Sequence, residues 1–259
     1  MTDIRRLYVL LCGYEIIPKT VSTRDLGARF VLSVPITAYL LDTASGWVLF
    51  DTALDESHLN DPEAKRRMFT DAGWDPAPVV RPHHELGRQL AEIGIGFEDI
   101  GTVILSHLHA DHTGHLKHMP QAQVIVQRAE LEAGQTDPLS FACFGSDFRL
   151  PGIMWQPIDG DAEILPGLTA LSTPGHTIGH MSLRVDLPGT GPVILTADVG
   201  DLRENFEHEI LPGASVDDTA ALASIRRINA LVAETGALML MTHDPDQIQQ
   251  IRLAPDFYD

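Results

Sequence analysis

The chain has 259 residues, and its 36 Asp and Glu against 18 Lys and Arg give a formal net charge of −18. With 44% hydrophobic residues it suits a globular α/β fold and excludes a disordered or fibrous one. The acidic balance argues against nucleic acid or an anionic membrane surface as partner, since clustered Lys and Arg hold both.

The apolar run 7–11 reads as a first strand and is too short for a signal-peptide core. Further short β-rich runs follow at 36–41, 47–50, 102–105 and 124–126, then at 168–171, 181–185, 193–195 and 238–241. Ala44-Ser45-Gly46 reads as a hairpin turn between the second and third. Helical spacing is clearest over 216–234, where Ala221, Leu222, Ile225, Ile228, Leu231 and Val232 share one face, Ser215 is the expected cap and Gly236 the stop. Shorter helices are expected at 85–92, at 129–133 and after Asp244, whereas 57–82 and 134–151 read as long helix-poor loops. The strands fall into two batches, each followed by helix, so one domain over 1–259 made of two stacked αβ halves is expected. Cys12 and Cys143 make no disulfide framework, and no run approaches the roughly 20 apolar residues of a membrane span. A cytoplasmic protein is the expectation.

The chemistry concentrates at Ser106-His107-Leu108-His109-Ala110-Asp111-His112-Thr113-Gly114, directly behind the run 102–105. Residues two apart in an extended segment face the same way, so His107 and His109 can grip one ion. The chain must then turn, which lets Asp111 and His112 face a second. A single histidine there would read as a solvated loop residue, but four potential ligands behind a strand need a common partner. His176, Asp198 and His243 each follow one of the later apolar runs, which completes a set of five His and two Asp.

On these residues the chain resembles the metallo-β-lactamase superfamily, from Asp51-Thr52 through His-x-His-x-Asp-His to His243. The resemblance implies a four-layer αβ/βα sandwich with two divalent ions at one edge of the paired sheets. Zinc is the expected metal, with iron, manganese and cobalt as alternatives. It further implies His107, His109 and His176 on the first ion and Asp111, His112 and His243 on the second, with Asp198 bridging. Asp51 would orient ligand histidines, and His180 would support the site from behind.

Within the superfamily the chain is similar to the acyl-homoserine lactonases. Thr173-Pro174-Gly175-His176-Thr177-Ile178-Gly179-His180, Leu195-Thr196-Ala197-Asp198, Glu204-Asn205-Phe206-Glu207 and Thr242-His243-Asp244-Pro245-Asp246 carry that likeness. The implied reaction is lactone opening by a hydroxide that bridges the two metals, with Asp111 passing the proton from the attacking water to the leaving oxygen. The substrate would be a small lactone, and a homodimer is one of the assemblies left open.

Two departures from that group matter. Asp201 stands where those lactonases usually carry a tyrosine that hydrogen-bonds the substrate carbonyl, and an ionised Asp has no proton to donate. Either the metals do that work alone, or another donor such as Tyr14 or Tyr39 enters, or the substrate differs, while Asp201 itself reads as a surface carboxylate ahead of a pocket residue. Ala110 stands where relatives often carry a bulkier apolar residue, which predicts a wider pocket. The aromatics Phe69, Trp74, Phe141, Phe144, Phe148 and Trp155 are candidate pocket walls, and His58, His83, His84, His115, His118 and His208 read as ordinary or solvated residues. Competing readings are hydrolysis of a plain γ-butyrolactone or aromatic lactone, a β-lactamase, a glyoxalase II-type thioesterase and a non-catalytic metal binder. The β-lactamase lacks an export signal, the thioesterase lacks a basic C-terminal cluster, and a nuclease conflicts with the charge.

Overall fold

The computed structural model describes residues 2–140 and 142–259. Its first sheet runs in order β1 (Ile4–Pro18), β2 (Val31–Thr43), β3 (Gly46–Phe50), β4 (Ile100–Ile104), β5 (Gln123–Gln127) and β6 (Met154–Ile158). The β1–β2 and β2–β3 pairs are antiparallel, and β3 to β6 are mutually parallel. The second sheet has the order β11 (Leu238–Leu240), β10 (Gly191–Leu195), β9 (Met181–Leu187), β8 (Leu168–Ser172), β7 (Ala162–Leu165). It is antiparallel except for the β10–β11 pair.

Alternation along the strands explains how the layers form. Val9, Tyr39, Leu41, Phe50, Ile104 and Ile125 of the first sheet face Ala170, Leu183, Val185, Val193, Leu195 and Leu240 of the second. The opposite face of the first sheet, with Leu10, Ile36, Leu40, Leu49, Val103 and Val124, is covered by Leu86, Leu90, Leu116 and Phe148. On the far side of the second sheet, Leu171 and Ile194 pack against Ile225, Ile228 and Phe206. Three apolar layers between helix, sheet, sheet and helix make the four-layer sandwich that the resemblance implied, built from the two stacked halves that the strand batches suggested.

The helices in chain order are α1 (Lys19–Ser22), α2 (Ser57–Asn60), α3 (Pro62–Met68), α4 (Leu86–Ile93), α5 (Ala110–Thr113), α6 (Arg128–Gly134), α7 (Gly145–Phe148), α8 (Arg203–Glu207) and α9 (Asp218–Thr235). Among the described residues none is long and apolar enough to cross a membrane. Helix α9 is capped by Asp217, whose carboxylate accepts from the Ala220 N–H at 3.0 Å, and not by Ser215. The stretch 57–82 is not helix-poor. Pro62 opens α3 at its first turn, and the Asp61 side chain accepts from the Glu63 N–H at 3.0 Å. After Asp244 the chain forms only the 3₁₀ turn Gln247–Gln249. Strands β6 and β7 had no sequence signal, because Pro157 interrupts one and both are only partly buried.

Candidate metal centre

Strands β4, β8, β10 and β11 all end at one edge of the sandwich, and the loops behind them bring the candidate ligands together. Leu105 continues the β4 ladder by donating to the Ile125 carbonyl at 2.9 Å, after which His107, His109 and α5 leave the sheet. His176 follows β8 through Gly175, whose φ is +136°. A Cβ on Gly175 would stand 2.2 Å from the Ala221 nitrogen, so only glycine lets this loop lie against α9. Asp198 follows β10 next to Ala197, held at φ +46°, and His243 follows β11.

Hydrogen bonds on the outer side fix which ring nitrogen each histidine presents. The Ser106 hydroxyl donates to Asp51 Oδ2 at 2.8 Å, so it accepts from His107 Nδ1 at 2.9 Å and leaves His107 Nε2 facing inward. His112 donates through Nδ1 to Asp51 Oδ2 at 2.8 Å, His176 through Nδ1 to the Ala214 carbonyl at 2.8 Å, and His243 through Nδ1 to the Pro35 carbonyl at 2.7 Å. All four therefore turn Nε2 to the centre, as metal-binding imidazoles do when a second partner holds the other nitrogen. His109 Nδ1 lies 3.1 Å from His176 Nε2. Asp198 reaches His176 Nε2 at 3.3 Å and His107 Nε2 at 3.6 Å with one oxygen, and His243 Nε2 at 3.3 Å and His112 Nε2 at 3.4 Å with the other.

Two donor groups result, His107 with His109, His176 and Asp198, and Asp111 with His112 and His243, each with its ligand atoms within 4.8 Å of one another. His107 Nε2, His112 Nε2 and Asp198 Oδ1 are buried without a hydrogen-bond partner. Such atoms are costly to bury alone, and their convergence fits a pair of cations. The charges agree. Burial opposes the ionised form of Asp198, but His112, His243 and His107 outweigh it and hold its carboxyl well below the usual range. Burial likewise opposes charge on His112 and His243, yet Asp111 and Asp198 outweigh it and raise both. Burial pushes His109 down to about 3. Asp51 sits fully buried at φ +60° at the end of β3. His180 accepts from the Asp198 backbone N–H through Nε2 at 2.9 Å, with Nδ1 on the Thr173 carbonyl at 3.0 Å.

The donor groups open into a cavity of about 360 Å³ whose walls include Ile16, Ile17, Val21, Trp74, Pro212 and Val216. Its composition corrects several expectations. Asp201 is not a surface carboxylate. It is buried, lines the cavity, and burial lifts its carboxyl to about 6. Tyr14 does not reach this cavity and lines a second one beside Val79 and His84. Tyr39 does not reach it either. Its ring is buried between the sheets, with its oxygen 3.4 Å from Thr37 Oγ1. Ala110 widens nothing, because it is fully buried in the core beneath the first sheet and donates its N–H to the Ala142 carbonyl at 2.8 Å.

Of the candidate wall aromatics among the described residues, only Trp74 lines the cavity. Phe69 and Phe144 pack behind it, and Phe141 lies outside the described residues. His115 is not solvated. It is buried between the Thr52 carbonyl and Glu56, at 2.8 and 2.9 Å.

Glu15 is a cavity carboxylate beside the donor groups that sequence reading missed. It is buried, and it neighbours Asp111, Asp198, Asp201 and His243. Burial among those carboxylates pushes its own carboxyl well above the ordinary value. An acid directly before the apolar pair Ile16-Ile17 was the one available signal.

A sandwich whose strand ends converge on adjoining His and Asp donor groups defines a metal-dependent hydrolase. The chain belongs to the metallo-beta-lactamase superfamily, whose family model matches residues 33–243. An N-acyl homoserine lactonase of a Bacillus species is 32% identical over 255 residues, covering 98% of this chain and 99% of its own. The N-acyl homoserine lactonase AttM of Azorhizobium caulinodans is 32% identical over 268 residues, covering 100% of both. A solved quorum-quenching N-acyl homoserine lactone hydrolase matches with a TM-score of 0.87 at 30% identity, over 100% of this chain and 99% of the other. A second, with the product N-hexanoyl-L-homoserine bound at its catalytic metal center, gives 0.86 at 29% identity over 100% of both chains.

Proposed function

We propose that this protein hydrolyses the lactone ring of N-acyl-homoserine lactones, as one hydrolase domain over residues 1–259 acting in the cytoplasm. The observation that carries the reading is the convergence of inward-facing imidazole nitrogens and Asp198 without hydrogen-bond partners at the mouth of a largely apolar cavity. His107, His109 and His176 would hold one ion, Asp111, His112 and His243 the other, and Asp198 would bridge them. Nitrogen and carboxylate donors without thiolate accept zinc as well as iron, manganese or cobalt, and zinc is the metal proposed. Two such ions would supply acidification of water and polarisation of the ester carbonyl.

The chain's own residues do the rest. The apolar wall holds the acyl chain and excludes water. The Asp111 carboxylate lies 3.0 Å from His112 Nε2 and 3.6 Å from His243 Nε2 and faces the cavity. From there it takes the proton of the attacking water and delivers it to the ring oxygen as the acyl C–O bond breaks. Asp51 and His180 keep His112 and Asp198 in register.

Asp201 in the tyrosine position favours a second reading, a lactone whose carbonyl needs no tyrosine donor, such as unsubstituted γ-butyrolactone. Acid release from purified, zinc-loaded protein against acyl-homoserine lactones, with γ-butyrolactone beside them, separates the two. Release from the acylated lactones that chelator abolishes supports the first reading. Turnover of the simple lactone alone replaces it with the second, and silence on both removes lactonase activity.

A further inference from the structure

Glu130 of α6 lies outside both the donor groups and the cavity wall. It is 4% exposed, and both its oxygens accept from backbone N–H groups, Oε1 from Leu108 at 3.1 Å and Oε2 from Gly179 at 2.9 Å. A carboxylate this buried is costly unless such charge-assisted bonds hold it, so both ties are strong ones. Leu108 stands between His107 and His109, and Gly179 three residues after His176. One side chain therefore clips the loop behind β4 to the loop behind β8, and these two loops carry all the histidines assigned to the first ion.

The surfaces around Glu130 are shaped for that contact. A Cβ on Gly179 would stand 2.4 Å from the Glu130 nitrogen and 2.6 Å from its Cβ, so the loop behind β8 lies on α6 only with glycine there. A Cβ on Gly134, one turn along α6, would stand 2.3 Å from Leu108 Cδ1. Leu108 is thus held by α6 at its N–H and at its side chain. His109 depends on that hold. His107, His112, His176 and His243 each have an outer hydrogen bond, whereas among the described residues the His109 ring has only the 3.1 Å approach of its Nδ1 to His176 Nε2. The second donor group has anchors of its own. The His112 carbonyl accepts from the Thr52 N–H at 2.7 Å, and His243 is held on the Pro35 carbonyl.

We infer that Glu130 is a positioning residue for the first ion, presetting the separation of the His107–His109 pair from His176 and so setting the affinity of that ion but not of the second. The inference rests on the two-ion reading of the donor groups. Its test is zinc titration against a chelating dye in two backgrounds, each lacking a ligand of one ion. In His243→Ala the remaining first ion should bind about 10- to 100-fold more weakly once Glu130→Gln is added, because the amide turns one accepting oxygen into a donating NH₂. In His176→Ala the remaining second ion should change by less than about threefold on the same addition. Equal weakening in both backgrounds, which a general loosening of the fold would produce, overturns the inference, and so does no weakening in either.

Hydrogen exchange reads the clip on the wild type alone. After exhaustive chelation the Leu108 and Gly179 amides should lose no more than about threefold in protection beyond the change at Leu183 and Val185 of β9. A further loss of about tenfold or more would mean that the ions hold the two loops together, and overturns the inference even where a variant does not fold. Two ions bound with no dependence on Glu130 overturn this inference only. Wild-type protein that binds no ion overturns the proposed function together with it.

Discussion

Asp51 collects three donors, the Ser106 N–H at 2.7 Å, the Ser106 hydroxyl at 2.8 Å and His112 Nδ1 at 2.8 Å, and through them it aims two of the inward nitrogens. Replacing it with alanine leaves every donor in place but frees the His112 tautomer. Asp51→Ala should therefore weaken metal binding about 10- to 100-fold, read by competition with a chelating dye, and unchanged affinity would show that Ser106 alone sets the rings. Asp111→Asn should keep most of the metal and lower kcat/KM roughly 10²- to 10⁴-fold, and full activity would remove Asp111 from the proton path. The donor residues were legible in the sequence because each stands directly behind an apolar run. Glu15 was not. It keeps the odd-numbered phase of Leu7 and Val9, which face the second sheet, but alternation alone does not tell a cavity carboxylate from a solvated one at the end of a long strand.

The loop that carries His176 depends on close contact between Gly175 and α9. Alanine there would meet the backbone of Ala221 in a conformation that L side chains rarely adopt. Gly175→Ala should destabilise the fold by about 1–3 kcal/mol and loosen metal binding, measured by chemical denaturation and by metal titration. Retained stability with normal metal content would show that α9 can yield.

Helices α2 and α7 are tied by His58, whose Nε2 lies 3.0 Å from Asp147 and 3.6 Å from Asp55, while Lys117 pairs with the same Asp55 oxygen. Burial disfavours the His58 charge, but Asp147 and Asp55 outweigh burial and the opposing Lys117 and raise its pKa. A raised histidine adds stability at low pH that is lost as pH rises through the folded value. The loss of thermal stability on His58→Ala should then be larger at about pH 5.5 than at about pH 9, and a pH-independent loss would reduce His58 to packing. Sequence reading found the central strands and α9 from their periodicity. It passed over α2, which carries His58, and α7, which carries Asp147, because elements of one turn carry too few positions for a pattern.

Across the whole molecule, the paired sheets and their outer helices hold the site at an edge where the ends of β4, β8, β10 and β11 meet. Ions bound there favour the folded state over the unfolded one. Exhaustive chelation should lower the melting temperature by roughly 10 °C, and an unchanged transition would mean the donor groups are satisfied without metal. The two batches of strands pointed to two stacked αβ halves, since each batch needed an apolar face covered, and the four layers themselves came with the family resemblance. The charge of −18 excluded polyanionic partners but carried no information about which carboxylates face the cavity.

The donor groups draw on both halves of the chain. His107, His109, Asp111 and His112 follow β4 of the first sheet, and His176, Asp198 and His243 follow strands of the second. Neither half alone holds the set for two ions, so metal uptake reports that the halves have met. Separated polypeptides cut between β6 and β7 would each fall short. Mixed together, they would act as a split sensor that captures both ions and turns on lactone cleavage only when the two fragments find each other.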